Sequence, residues 1–152
     1  MTKKAVISDK DLGLKRVLAG ARQYSNVAVT VGVHQGNYNK ESGLDIAEYA
    51  AYNEFGTSKI PGRSFMRSTF DENENRYTRI FANGIKQLGA NATLGRVLTF
   101  AGENVATDIK EKIRSGIAPA NSPRTIAIKK SDKTLIDTGG LVGSITYEIT
   151  KK

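Results

Sequence analysis

Two segments of the chain alternate apolar residues with small or polar ones, which is the period of two that is typical of β-strands. The first segment, 27–33, has valine at every second position. In the second segment, Ile145, Tyr147 and Ile149 alternate with threonine and glutamate. The pattern predicts two strands, and we expect them to pair with each other.

Most of the remaining apolar residues recur at intervals of three or four, which predicts helices. Ser122 and Pro123 are typical of a helix start, whereas Gly56 and Gly116 stand where helices are expected to end. The expected helices are 9–24, 44–55, 63–88, 94–115 and a short helix over 123–130.

Two of these helices have further features in their sequences. Leu44, Ala47, Ala51 and Phe55 follow a single helical face. The middle of the 63–88 helix, residues 71–76, is strongly polar and is a candidate bend or exposed turn.

The elements together predict an α+β fold, with a small antiparallel sheet packed against several helices that include a long helical hairpin. The length of 152 residues suits a single domain, 1–152. The polar, glycine-bounded segment 35–43 is a candidate projecting loop.

The amino-acid composition excludes several kinds of functional site. The chain has no cysteine and one histidine, His34, so disulfides, thiol nucleophiles, zinc–thiolate sites and multi-histidine metal sites are excluded. We expect no metal, no cofactor and no catalytic residues. We expect no membrane partner either, because no apolar run approaches the ~18 residues of a membrane span.

The sequence Asp137-Thr138-Gly139 is the motif of aspartic proteases, in which two such carboxylates share a proton. Only 15 residues follow Asp137, too few for the flap and closing strands of such an enzyme. The alternative is a turn in which Asp137 and Thr138 cap backbone groups and Gly139 supplies a positive φ angle. We favour the turn.

The segment 53–67 predicts a joint between two helices, the first ending at Gly56 and the second beginning after Pro61. Across such a turn Phe55 and Phe65 are expected to pack together. Arg63 and Arg67 would then share one helical face at a spacing of four.

The formal net charge is +8, and basic residues are concentrated between positions 110 and 133. Such a surface suits DNA or an acidic protein partner, although a basic cluster can equally be a solvated face. The candidate contact residues are Lys110, Lys112, Arg114, Arg124, Lys129 and Lys130.

Four motifs in this order resemble the tail-completion or neck proteins of long-tailed bacteriophages, a family related to minor tail protein Z of lambda-like phages and to the virion-morphogenesis proteins of Mu-like phages. The family usually has a second proline where Ser64 stands, and often has a proline where Thr134 stands. The matching segments are Glu54-Phe-Gly-Thr57, Pro61-Gly-Arg-Ser-Phe-Met-Arg67, Ser122-Pro-Arg-Thr-Ile126 and Leu135-Ile-Asp-Thr-Gly-Gly-Leu141 with Ser144-Ile145.

The resemblance implies a structural virion protein rather than an enzyme: a ring-forming adaptor, expected to be a hexamer, that joins the head connector to the tail. The implied partners are the connector or head-completion protein and the tail terminator or tail tube protein, with non-specific contact to DNA in the lumen. The implied location is the virion, after assembly in the cytoplasm of a bacterial host. The alternatives are a tail terminator that caps the tube and a basic DNA-binding accessory protein.

The same resemblance assigns contact with neighbouring subunits or partners to the joint and to the turn around Asp137. The expected contact residues are Glu54, Phe55, Gly56, Thr57, Pro61, Arg63, Phe65, Arg67, Asp137, Thr138, Gly139 and Leu141.

Overall fold

The computed structural model describes residues 26–36, 38, 43–88 and 93–151, together with Leu18, Ala19 and Arg22. Those three residues have helical backbone, and the rest of the helix predicted over 9–24 lies outside the described residues. Most of the candidate loop 35–43 also lies outside them. In its first half, Gly36 N–H donates to the Asp45 carboxylate and Tyr38 forms an isolated bridge with Asp45, which follows the loop.

The described residues form an α+β fold of five helices and one two-stranded sheet, which confirms the predicted fold class. In chain order the elements are β1 (Val27–Val33), α1 (Ile46–Phe55), α2 (Met66–Lys86), α3 (Leu94–Ser115), α4 (Pro123–Lys129), α5 (Gly140–Ser144) and β2 (Ile145–Lys151).

The two strands pair antiparallel along their whole length, as predicted, from Val27 opposite Lys151 to Val33 opposite Ile145. Directly opposed residues lie on the same face of an antiparallel pair. The valines of β1 therefore share a face with the apolar residues of β2, and this face packs on α3.

Helices α2 and α3 form the predicted long hairpin, and their contacts show that they run antiparallel. Near the turn, Gly84 approaches Val97 so closely that a Cβ on the glycine would lie 2.4 Å from a valine methyl group. Farther from the turn, the Tyr77 hydroxyl donates to the Asp108 carboxylate over 2.9 Å. Burial and this hydrogen bond raise the pKa of Tyr77, so the phenol stays protonated.

The polar middle of α2 is a continuous helix, so the predicted bend or turn at residues 71–76 is wrong. Its charged side chains reach across to α3: Glu72 pairs with Lys112, and Arg76 pairs with Asp108. Glutamate and arginine have high helix propensity, so a polar stretch that contains them can remain helical.

The apolar core lies where the second half of α3 meets α1, α5 and the sheet. Near its edge the sheet touches α3 at Gly102, where a Cβ would lie 2.7 Å from the Tyr147 ring. The buried core residues are Ala50, Phe65, Ala106, Ile109, Ile113, Leu135, Leu141, Val142 and Ile145.

The buried face of α1 is not its apolar face. Ala51 is exposed and Phe55 is 69% exposed. The buried residues of the helix are instead Ala50, Asn53 and Glu54, two of them polar. Polar side chains are buried only when their hydrogen bonds are satisfied. Glu54 finds its partners at the joint between α1 and α2, whereas the Asn53 amide donates to the Tyr49 carbonyl within α1.

Candidate functional site: the joint and the Asp137 turn

The joint between α1 and α2 is organised around one carboxylate, that of Glu54, which is 4% exposed. Its oxygens accept hydrogen bonds from the backbone N–H groups of Phe65, Met66 and Arg67 over 2.7, 2.9 and 3.1 Å. The Ser64 hydroxyl and the Arg67 Nε also donate to it, over 2.8 and 3.0 Å. Glu54 therefore caps the start of α2 from another helix and satisfies N–H groups that have no partner within α2.

This arrangement keeps the Glu54 side chain ionised. Burial by itself would raise the pKa of the carboxyl group. The hydrogen bonds from Met66, Arg67 and Ser64 outweigh the effect of burial and hold the pKa below its ordinary value.

The turn after α1 requires glycine at position 56. Gly56 caps α1 at φ 78°, as predicted, and its N–H donates to the Tyr52 carbonyl over 3.0 Å. A Cβ there would lie 2.8 Å from the backbone nitrogen of Gly62. Thr57 closes the turn, because its hydroxyl accepts from the N–H groups of Lys59 and Ile60. Pro61 lies exposed in the connector.

Phe55 and Phe65 play different parts, so the predicted packing between them is wrong. Phe65 is fully buried in the core, whereas Phe55 is largely exposed. The Arg67 guanidinium lies over the Phe55 ring, 4.8 Å from its centre, in a cation–π contact. An exposed aromatic ring and an arginine therefore form one surface feature at the joint.

Arg63 and Arg67 do not share a face as predicted, because Arg63 precedes α2 and is buried by the fold's own loop. Arg63 Nε donates to the Pro119 carbonyl over 2.8 Å, and its terminal nitrogen lies 3.3 Å from the Ala120 carbonyl and 3.4 Å from Asn121 Oδ1. This arginine thus ties the joint to the loop that precedes α4.

The same loop is held from its other side by Asn121, whose amide donates to the carbonyls of Asp132 and Lys133. A groove of about 570 Å³ runs between the joint and α4. The residues around it come from three separate parts of the chain and include Tyr49, Pro61, Arg63, Asn121, Ser122, Thr125, Lys129 and Leu135.

Tyr49 connects this groove with a second cleft of about 110 Å³, which is lined by Leu44, Ile46, Leu135 and residues 137–141. Burial raises the pKa of the Tyr49 hydroxyl, Asn53 and Arg63 act to lower it, and the charge on Asp137 acts to raise it. The charges of Arg63 and Asp137 therefore both act at this one tyrosine, which lies between the joint and the Asp137 turn.

The turn at 137–139 leads into α5, and Gly139 has the predicted positive φ, 82°. The predicted capping by Asp137 and Thr138 is wrong, because Gly139 is the cap of α5 and no side-chain hydrogen bond is made there. Asp137 and Thr138 are exposed, whereas Leu141 is buried in the core. Within the described part of the chain, the Asp137 carboxylate accepts no hydrogen bond.

The six candidate basic residues lie on two elements. Lys110, Lys112 and Arg114 belong to the last turns of α3, where Lys112 pairs with Glu72. Arg124, Lys129 and Lys130 belong to α4 and its end, and Lys129 Nζ donates to the Lys133 carbonyl. Arg114, Arg124 and Lys130 are exposed.

His34 is placed at the end of β1, where its Nε2 lies 3.2 Å from the Thr30 hydroxyl and 3.7 Å from the Glu148 carboxylate. Its Nδ1 is buried and has no hydrogen-bond partner among the described residues. Among those residues no group of three or more histidine and carboxylate side chains is placed to hold a metal ion.

Two residues of this site, Tyr49 and Asn121, were missed by the sequence analysis. Tyr49 lies on an exposed part of α1 and connects the two clefts, while Asn121 immediately precedes the predicted helix cap Ser122. Both residues fit the pattern of the helix or loop in which they lie, so nothing in the sequence distinguishes them as residues of a site.

No protein-family model, curated protein or solved structure matches the chain. Of the helices in the described part, none is both long and apolar enough to cross a membrane.

Proposed function

We propose that the protein is a non-enzymatic structural component of a tailed-phage virion: a ring-forming adaptor at the head–tail interface. In this proposal the chain completes or caps the tail and joins it to the head connector. The surface around the joint and the Asp137 turn contacts the neighbouring subunit or a partner ring.

One observation carries the proposal: the four motif segments, which fall in two distant stretches of the chain at 54–67 and 122–145, meet in one continuous region. Glu54 joins the first segment to the second, and Arg63 joins the second to the loop at 119–121, next to Ser122. Leu135 and Tyr49 then connect that loop with the Asp137 turn. The motifs that carry the resemblance to neck proteins therefore form one unit with exposed contact groups at its edge.

Those exposed groups suit a protein contact. Phe55 with Arg67 offers an aromatic ring and a cation, and arginine and aromatic residues are enriched at the centres of interfaces. Asp137 offers a carboxylate whose hydrogen-bonding capacity is unused within the described residues. A ring requires two different surfaces on each subunit, and this region would supply one of them.

Asp137→Lys is expected to abolish ring formation while leaving the subunit folded. Reversing the charge at a subunit contact opposes association, whereas an exposed side chain without hydrogen bonds contributes within about 0.5 kcal/mol to folding. Sedimentation of the full chain over a range of concentrations measures the assembly, and thermal unfolding measures the fold.

The matched control is Asp132→Lys, which makes the same charge change at an exposed position outside the two clefts. It is expected to assemble like the parent protein. Rings that persist in Asp137→Lys would remove the turn from the interface, and a parent chain that stays monomeric at every concentration would contradict the ring itself.

The function is tested in a phage that carries this gene, by terminating the gene early and viewing the lysate by electron microscopy. Separate full heads and tails of normal length are expected for a tail-completion adaptor. Overlong tails would show a terminator instead, and normal infectious particles would contradict a role in the virion.

A DNA-binding accessory protein is the second candidate, and the exposed basic side chains of α4 favour it. No residue of α4 is buried, and Arg124 and Lys130 are exposed there. A DNA-binding protein is expected to bind duplex DNA in the micromolar range or tighter, with an affinity that falls steeply with salt. We expect the adaptor to bind duplex DNA weakly at physiological salt, as measured by fluorescence anisotropy.

A further inference from the structure

Helix α4 and its end leave basic and apolar side chains exposed together. No residue of the helix is buried, and Ile128 is 73% exposed. Arg124 and Lys130 are exposed as well, and neither is in an ion pair within the described residues. These three residues form the α4 surface. It is continuous with the candidate site, because α4 borders the groove beside the joint.

A cleft of about 330 Å³ lies between α2 and α3 and shares no residue with the two clefts of the candidate site. Three carboxylates and one basic side chain line it, and Asp108 is paired with Arg76. The hydrogen bond to Asp108 raises the pKa of Arg76, and the charge on Glu111 acts in the same direction. The cleft is therefore net acidic. Its lining residues are Arg76, Glu103, Asn104, Thr107, Asp108 and Glu111.

Two of these carboxylates, those of Glu103 and Glu111, are in no ion pair within the part of the chain that the structure describes. With Thr107 between them at a spacing of four, they lie on one side of α3, and all three residues are exposed. Phe100 continues this side toward the start of α3 and is 57% exposed. These four residues form the acidic face of α3.

The α4 surface and the acidic face are complementary in charge and in apolar content. The α4 surface has two exposed cations beside an exposed isoleucine, and the acidic face has two exposed carboxylates beside an exposed phenylalanine. Interfaces between proteins combine apolar contacts with oppositely charged groups in this way. Interfaces with DNA are more polar, so the exposed Ile128 favours a protein partner for the α4 surface.

Both surfaces are exposed in the single chain, so they do not cover each other within it. We propose that the α4 surface of one copy docks on the acidic face of the next copy. Repeated around a ring, one α4 surface and one acidic face on every subunit give a head-to-tail contact that closes. The inference rests on the proposed ring and assigns its second surface to α3.

The charges that flank the two surfaces follow the same pattern with the signs exchanged. Arg114 is exposed one turn beyond Glu111 on α3, and Asp137 is exposed in the cleft that adjoins the groove beside α4. The end of the acidic face therefore offers a cation to the carboxylate whose reversal is expected to abolish the ring.

Reversing the charges of one surface at a time tests the contact. One variant carries Arg124→Glu with Lys130→Glu, and the other carries Glu103→Lys with Glu111→Lys. Each variant alone is expected to remain monomeric, because it presents like charges on both sides of the contact. A mixture of equal amounts is expected to form rings in which the two variants alternate, since every contact then again joins opposite charges.

Sedimentation of the full chains at equal total concentration measures assembly, and thermal unfolding checks that each variant is folded. Rings in either variant alone, or a mixture that stays monomeric while the parent protein forms rings, would overturn the inference and leave the ring standing. A parent protein that never forms rings would contradict the proposed function as well. Loss of duplex DNA binding in the α4 variant with unchanged assembly would assign the α4 surface to DNA instead.

Cross-linking gives a second readout that needs no charge reversal, because the chain has no cysteine of its own. Ile128→Cys and Thr107→Cys are made in separate full-length chains, mixed, and treated with a short bis-maleimide. A dimer containing one copy of each variant is expected. The control mixes Ile128→Cys with Phe70→Cys, which replaces an exposed residue outside the acidic cleft, and at least roughly tenfold less product is expected. Equal yields of the two products would contradict the docking.

Discussion

Replacing Glu54 with glutamine is expected to lower the free energy of unfolding by about 3 kcal/mol, the largest effect expected of any single substitution in this chain's joint. The carboxylate accepts five hydrogen bonds in a buried position, three of them from backbone N–H groups at the start of α2. Glutamine keeps the shape but replaces one accepting oxygen with an NH₂ group that faces other donors. Urea unfolding of the two proteins at pH 7 measures the difference.

The difference in stability between the parent protein and the Glu54→Gln variant is also expected to depend on pH. The pKa of Glu54 is lowered in the folded state, so its stabilising effect is complete above its ordinary pKa of 4.5. The effect is lost as the pH falls through the lowered folded pKa. The stability gap should therefore close in acid, whereas Glu74→Gln, an exposed control on α2, should show little effect at either pH. A gap that stays constant down to about pH 2 would contradict the capping role.

Arg63→Ala is expected to lower the free energy of unfolding by about 2–3 kcal/mol. The guanidinium is buried and donates to the carbonyls of Pro119 and Ala120, and its removal leaves those groups without these donors. Arg63→Lys is expected to restore little of the loss, because an ammonium group cannot reproduce the planar arrangement of donors. Denaturant unfolding measures each variant.

Arg124→Ala serves as the matched control, since Arg124 is an exposed arginine of α4. Its effect should stay within about 0.5 kcal/mol. If Arg63→Ala proved no more destabilising than this control, the hydrogen bonds from Arg63 to the loop before α4 would not contribute to the stability of the fold.

The fold was predictable from sequence wherever a local rule determined it. Val27–Val33 alternates with a clear period of two, and the structure has the strand with those bounds. Ser122 accepts the Thr125 N–H at the start of α4, and Gly116 ends α3, because caps depend on the chemistry of single residues.

The errors arose where burial depended on a partner distant in sequence. The burial of Glu54 depends on donors ten to thirteen residues later, and that of Arg63 on carbonyls more than fifty residues later. No periodicity in the sequence indicates such pairs. A pattern that counts only apolar residues therefore paired the exposed Phe55 with the buried Phe65 and missed the buried polar residues of α1.

The capped joint has a mechanical consequence. Rotating α1 against α2 would break the hydrogen bonds of Glu54 together, and the backbone of Gly56 already lies close to that of Gly62. The angle between the two helices is therefore held firmly. A load applied to the exposed edge at Phe55 and Arg67 is then expected to reach the long hairpin through the bonds of Glu54. In the proposed adaptor, such a joint is expected to pass force along the helices rather than to bend between them.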